Sequence, residues 1–192
     1  MSDPPAKTEC VEPSWVADVI HFWFEELGAA CWFAKSEETD AQIRDRFLQL
    51  HEQLVKHDGL GVSSPRSILA AVIVLDQFSR NLFRADARAF SADPIARRLS
   101  RAAIAQGLET KLKDRLEKYF LYLPFEHSED HKDQVLAHTM IQRLGNDDWT
   151  RYASAHMKII ERFGRFPHRN QALNRSSTAE ELAFLSTPVN FF

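Results

Sequence analysis

The segment FGRFPHRN, Phe163 to Asn170, interleaves two phenylalanines with Arg165, His168, Arg169 and Asn170 where a helical pattern ends. A shorter echo, FSRN at Phe78 to Asn81, places Arg80 and Asn81 at the close of another. Guanidinium forks and side-chain amides suit planar anions such as carboxylate or phosphate. Two histidines could add proton transfer. In LPFEHSED, Leu123 to Asp130, His127 directly precedes an expected helix N-terminus, with Glu129 close enough in sequence to orient or activate its imidazole. His156 interrupts the apolar stripe formed by Trp149, Tyr152, Ala153, Ile160 and Phe163, where a hydrogen-bonded core histidine is the ordinary outcome.

Asp76 shares a helix face with Leu69, Val72 and Ile73, and a buried carboxylate is costly unless paired. Arg80, four residues on, is spaced to pair with it. A buried ion pair that fixes the helix end and an arginine aimed at a ligand are compatible readings. His127, His131 and His138 lie near acids but form no H-E-x-x-H signature, and no metal is expected. There is no G-x-S-x-G elbow, no glycine-rich phosphate loop and no cysteine with a plausible partner, so no cofactor is expected either. Arg97, Arg98 and Arg101 read as a solvated helix face.

These groups must be carried by helices. Apolar residues make up 44% of the 192 residues and recur at helical spacing, with no alternating strand. Gly28 closes a first helix, Thr39 or Asp40 caps a second, and Ser64-Pro65 opens a third through the wholly apolar ILAAVIVL to about Ser79. Asp93-Pro94 repeats that start, and a helix from about Asp114 should stop near Pro124. Ser128 is expected to cap the next, Asp147 or Asp148 to open another that Gly164 closes, and Ser177 or Thr178 to form a capping box with Glu180 or Glu181. The sum is an all-α architecture of about eight helices in antiparallel pairs, without a regular repeat.

Residues 1–12 read as a flexible tail and 13–192 as one helical domain. A net charge of −3 gives no reason to expect nucleic acid, and no apolar run reaches membrane-spanning length. The N-terminus lacks a secretory h-region and the two cysteines suit a reducing compartment, so a cytoplasmic location is expected. A homodimer through the aromatic N-terminal helix or through Phe191 and Phe192 is compatible with the sequence.

LDQFSRNLFR (Leu75–Arg84), YLPFEHSED (Tyr122–Asp130) and FGRFPHRN resemble the signature blocks of an uncharacterised bacterial family, domain of unknown function 924. HFWFEEL (His21–Leu27) and WFAK (Trp32–Lys35) look like that family's opening. The resemblance implies a TPR-like stack of helix pairs and no established activity. Asp76, Gln77, Arg80, Asn81, His127, Glu129, His156, Arg165, His168, Arg169 and Asn170 match its polar blocks. Where the family usually has Leu-Gly-Arg, this chain has Leu173-Asn174-Arg175; Asn tolerates the left-handed conformation better than most residues. The expectation is a concave recess lined by Arg80, Asn81, Arg165, His168, Arg169 and Asn170, binding a small anionic metabolite or acidic peptide terminus. His127, Glu129 and His156 are the candidates for acid-base chemistry there. The alternatives are an enzyme using His127 or His156, or a purely structural polar network.

Overall fold

The computed structural model describes residues 12–59 and 61–187. The expected tail lies, except for Glu12, outside these residues, as do Cys10, Phe191 and Phe192. Among the described residues there are eight principal helices and no strand. Helix α1, Ser14–His21, runs on as a π-helical stretch, Phe22–Leu27, and stops at Gly28 with φ +71. Helix α2 spans Glu37–Lys56. Ser36 starts it, accepting from Thr39 N at 3.2 Å, which corrects the expected cap at Thr39 or Asp40. Helix α3, Pro65–Val72, is opened by the Ser64 capping box and continues as a π-helical stretch, Ile73–Phe78, and then α4, Ser79–Leu82.

This third rod is the centre of the molecule. Every residue from Ser67 to Ser79 is buried, as the all-round apolar ILAAVIVL requires. α1, α2, α6 (Asp93–Ala105) and α7 (Arg115–Glu126) all pack on it. A four-residue turn, α5 (Arg88–Ser91), precedes α6. α6, α7, α8 (His131–Gln142) and α9 (Asp147–Phe163) then stack in chain order, each against the next. The core is aromatic where α1 and α2 meet the rod: the Phe78 ring lies 5.9 Å from Phe22, 5.4 Å from Trp23 and 5.0 Å from Phe47.

Two expected boundaries move, and both moves position the site. α7 passes through Pro124 to Glu126, because the helix buries the whole run from Tyr119 to Glu126, and a proline near its end costs one hydrogen bond that this burial outweighs. His127 therefore caps the C-terminus of α7, donating its N–H to Leu123 O at 2.9 Å, and does not precede a helix N-terminus. α8 is capped by Asp130, which accepts from Lys132 N, while Ser128 donates to Asp133 at 2.8 Å. Arg97, Arg98 and Arg101 are also not simply solvated: Arg97 and Arg101 reach Asp133, and Arg98 pairs with Asp58 at 2.7 Å.

After α9, Gly164 (φ +67) turns the chain into a short 3-10 turn, Pro167–Arg169, and then α10, Ala179–Ser186. Thr178 and Glu181 form the capping box of α10 in the later of the two expected registers. Ile159, Ile160 and Phe166, with Phe163 and Phe184, make a small apolar cluster separate from the main core.

Candidate functional site

Asp76 stands on the π-helical stretch and is fully buried. His127, brought to it by the end of α7, has Nδ1 at 2.9 Å from both carboxylate oxygens. Gln77 donates to Asp76 at 2.5 Å, and Arg80 lies 3.4 Å away, which is the pairing its spacing predicts. Burial would push the Asp76 carboxyl up, but the Arg80 guanidinium and then His127 hold it well below the usual carboxylate range. An ionised Asp76 accepts from Nδ1–H and so fixes the tautomer of His127. Among the described residues Nε2 of His127 has no hydrogen-bond partner, and the side chain is 18% exposed.

The two arginines are more engaged than an open anion site would have them. Arg80 grips Asp93 at 2.5 and 3.0 Å and donates to its own Asp76 carbonyl at 2.7 Å. Asp93, which the sequence offers only as a helix start, is thus part of the site. Arg169 is buried with its guanidinium 4.6 Å from the rings of both Phe90 and Phe166. It donates to the His127 carbonyl at 2.9 Å and stands 3.6 Å from Asp93. Burial pulls Arg169 down to about 10, with the Arg80 charge second. Its Nε–H is buried without a partner among the described residues.

His156 completes the cluster from α9, its ring 6.2 Å from that of His127 and 5.6 Å from Phe166. Nδ1 faces the Tyr152 carbonyl at 2.9 Å, so it carries the proton, and it also lies 3.1 Å from Glu126. Burial depresses His156 to about 3, and it depresses His168, whose ring is 5.6 Å from Phe166, to about 3 as well. Glu126 sits beside a neutral imidazole, with no cation within ion-pair distance among the described residues. Burial first, and then the Asp76 charge, push it up to about 8. Asp76 and Glu126 are therefore two buried carboxyls in opposite protonation states near neutral pH.

The remaining candidates lie elsewhere. Glu129 does not orient His127, since Asp76 does that; it accepts from Phe166 N at 2.8 Å and takes Arg175 at 2.7 and 3.0 Å. Arg165 grips Glu181 at 2.6 and 2.8 Å, and Asn170 donates to Ser177 at 3.0 Å and receives Arg175 Nε at 3.0 Å. Asn81 donates to Asp40 on α2 at 2.8 Å. Arg80, His127, His156, His168 and Arg169 thus come together in a largely buried cluster, while Asn81, Glu129, Arg165 and Asn170 hold the surrounding elements together. His131 and His138 are also apart, the first near Glu161 and the second on Ser154. Among the described residues no group of three His, Cys, Asp or Glu could hold a metal ion, and no helix is long and apolar enough to cross a membrane. Two clefts lie away from the cluster, one against Trp15 and His57 and one against Phe24 and Lys113.

No curated protein matches this chain. A solved structure of a protein of unknown function from Agrobacterium tumefaciens is similar to it, with 38% identity and a TM-score of 0.83 over 89% of this chain and 96% of that one. The family model for bacterial proteins of unknown function designated DUF924 matches residues 19–189, and the chain belongs to that family.

Proposed function

We propose that the chain is an enzyme in which His127 transfers a proton to and from a small substrate that carries or develops negative charge. The observation that carries this reading is the Asp76–His127 pair. A fully buried carboxylate holds Nδ1, and Nε2 is left unpartnered on a partly open side chain. That is the geometry of an oriented general base. Charge supports the substrate's sign. Arg80 and Arg169 balance Asp76 and Asp93, and Glu126 is neutral, so a proton taken up by His127 leaves one uncompensated positive charge beside the anion just formed. A second reading, anion binding without chemistry, is favoured by the buried, unpartnered Nε–H of Arg169.

The test has two parts. In 15N-histidine spectra at pH 8, His127 should be the Nδ1–H tautomer in the wild type and should lose that preference in Asp76→Asn; an Nε2–H tautomer in the wild type would overturn the reading. On a panel of small carboxylates and phosphoesters, any turnover should fall by about 10²–10⁴-fold in His127→Gln. Turnover unchanged in that variant, with acetate or phosphate still raising the Tm of the wild type, would leave the binding module.

A further inference from the structure

The arginines beside His127 carry positive charge, but their forks are already engaged by the protein. Both arms of Arg80 go to Asp93, at 2.5 and 3.0 Å, and one of them also meets the carbonyls of Asp76 and Ala89. In Arg169, Nη2 donates to the His127 carbonyl at 2.9 Å and Nη1 stands 3.6 Å from the same Asp93. The rings of Phe90 and Phe166 lie 4.6 Å from its guanidinium. Its Nε–H is buried and has no partner among the described residues. In a planar guanidinium Nε–H shares an edge with Nη2, so this spare donor is on the edge that meets His127.

A carboxylate or phosphate binds an arginine best through two parallel N–H bonds. Here it would have to compete with Asp93 or with the His127 carbonyl for the second of them, whereas a single oxygen atom needs Nε–H alone. Charge leads the same way. Asp76 and Asp93 face Arg80 and Arg169, and around them Glu129 is taken by Arg175 and Glu181 by Arg165. A ligand arriving with a negative charge would enter a largely buried cluster whose cations are already matched, and an unmatched buried charge is costly. An uncharged ligand adds none.

We propose that the substrate of this site is a small uncharged aldehyde or ketone, with its carbonyl oxygen on Arg169 Nε–H, and that Arg169 is the catalytic residue that receives the developing oxyanion. The inference rests on the acid-base reading of His127 and narrows it to substrates that acquire their charge during the reaction. His127 Nε2 removes a proton from the carbon beside the carbonyl: the C–H bond breaks, an N–H bond forms, and the electron pair moves into the carbonyl to give an enolate. Imidazolium and enolate appear together, so the net charge of the site is the same before and after the step. Nε2 then returns the proton to carbon, and no second reactant is needed.

The test is calorimetry of the full chain at pH 7 in two buffers of different ionisation enthalpy, with acetohydroxamic acid, acetate and inorganic phosphate as probes. The hydroxamic acid is uncharged in solution and resembles an enolate once its proton is lost. It should bind with the same heat in both buffers, because its proton passes to His127 and none is drawn from solution. Acetate and phosphate should bind about tenfold more weakly or worse, and acetate should take up about one proton on binding to supply the missing positive charge. Acetate or phosphate binding more tightly than the hydroxamic acid, acetate binding without proton uptake, or no binding of the hydroxamic acid would each overturn the proposal. Arg169→Lys keeps the charge and removes Nε–H, and should weaken the hydroxamic acid by about tenfold or more. An unchanged affinity in that variant, with wild-type circular dichroism, would also overturn it. Where Arg169→Lys does not fold, the comparison of probes on the wild type decides. Failure of the acid-base reading has a different signature: the hydroxamic acid would still outbind acetate and still depend on Arg169, while His127→Gln would bind it as well as the wild type does.

Discussion

At the scale of single residues the site is a set of charges that balance without a ligand, and its protonation states can be tested by stability. Glu126 has its carboxyl pushed up to about 8 from an ordinary value of 4.5. A carboxyl raised in the folded state contributes stability that is fully present below pH 4.5 and is lost as pH rises through 8. His156 and His168 act oppositely: their neutral forms contribute stability present above 6.5 and lost as pH falls toward 3. Below pH 6.5 the two histidines outweigh the one carboxyl, and above it only the carboxyl acts, so the wild type should be most stable near pH 6.5. Glu126→Gln keeps the shape and removes the ionisation, so its Tm at pH 9 should exceed the wild type's by roughly 2–8 °C, for about 1–2 kcal/mol of relief. At pH 5.5 the two should agree more closely. Asp76→Asn removes the negative charge that holds His127 and pairs with Arg80, and should cost about 3 kcal/mol in urea unfolding. The loss stays at the lower end for a buried pair because Asp93 still grips Arg80.

At the scale of elements, local signals in the sequence identified most helices, and contacts between elements decided where that reading failed. Ser64-Pro65, Gly28 and the Thr178–Glu181 box stand where side-chain chemistry puts them, because a cap is satisfied within four residues. Pro124 misleads for the opposite reason. The gain that carries α7 past it comes from burial against other helices, which no local pattern records. Asn174 is a case where residue chemistry carried through: it adopts φ +51, as expected of an asparagine in a turn where the family usually has glycine. Its side chain is exposed, so Asn174→Ala should cost about 1 kcal/mol through the left-handed backbone alone, and Asn174→Gly should cost nothing or stabilise slightly. Thermal unfolding of the two variants checks the difference.

At the scale of the whole molecule, the candidate site was legible as a list of residue types and only partly as a place. Asp76 and His127 are 51 residues apart, and their meeting depends on how α7 lies across the central rod. Asp93 had no signal at all, since an aspartate before a proline at a helix start already has a sufficient local reason to be there. The division between a large core and a small C-terminal cluster was likewise invisible, because both are built from similar apolar residues at similar spacing. It has a measurable consequence. Phe78→Ala, at the meeting point of Phe22, Trp23 and Phe47, should cost about 3–5 kcal/mol of global stability in urea unfolding. Leu182→Ser, on the outer face of α10, should stay within about 0.5 kcal/mol of wild type.

The widened turn in the central rod gives scaffold and chemistry different tolerances. A π-helical turn accommodates an extra residue inside a continuous helix, and in this rod the stretch from Ile73 to Phe78 is where the acid and its neighbouring amide sit. Deleting Val74 would let the rod tighten to ordinary α spacing, with the helical segments on either side keeping their packing. The carboxylate would then be drawn off its imidazole in a chain whose circular dichroism had scarcely changed. A descendant of this protein could lose the Asp76–His127 pair by dropping one codon and still fold as its ancestor did.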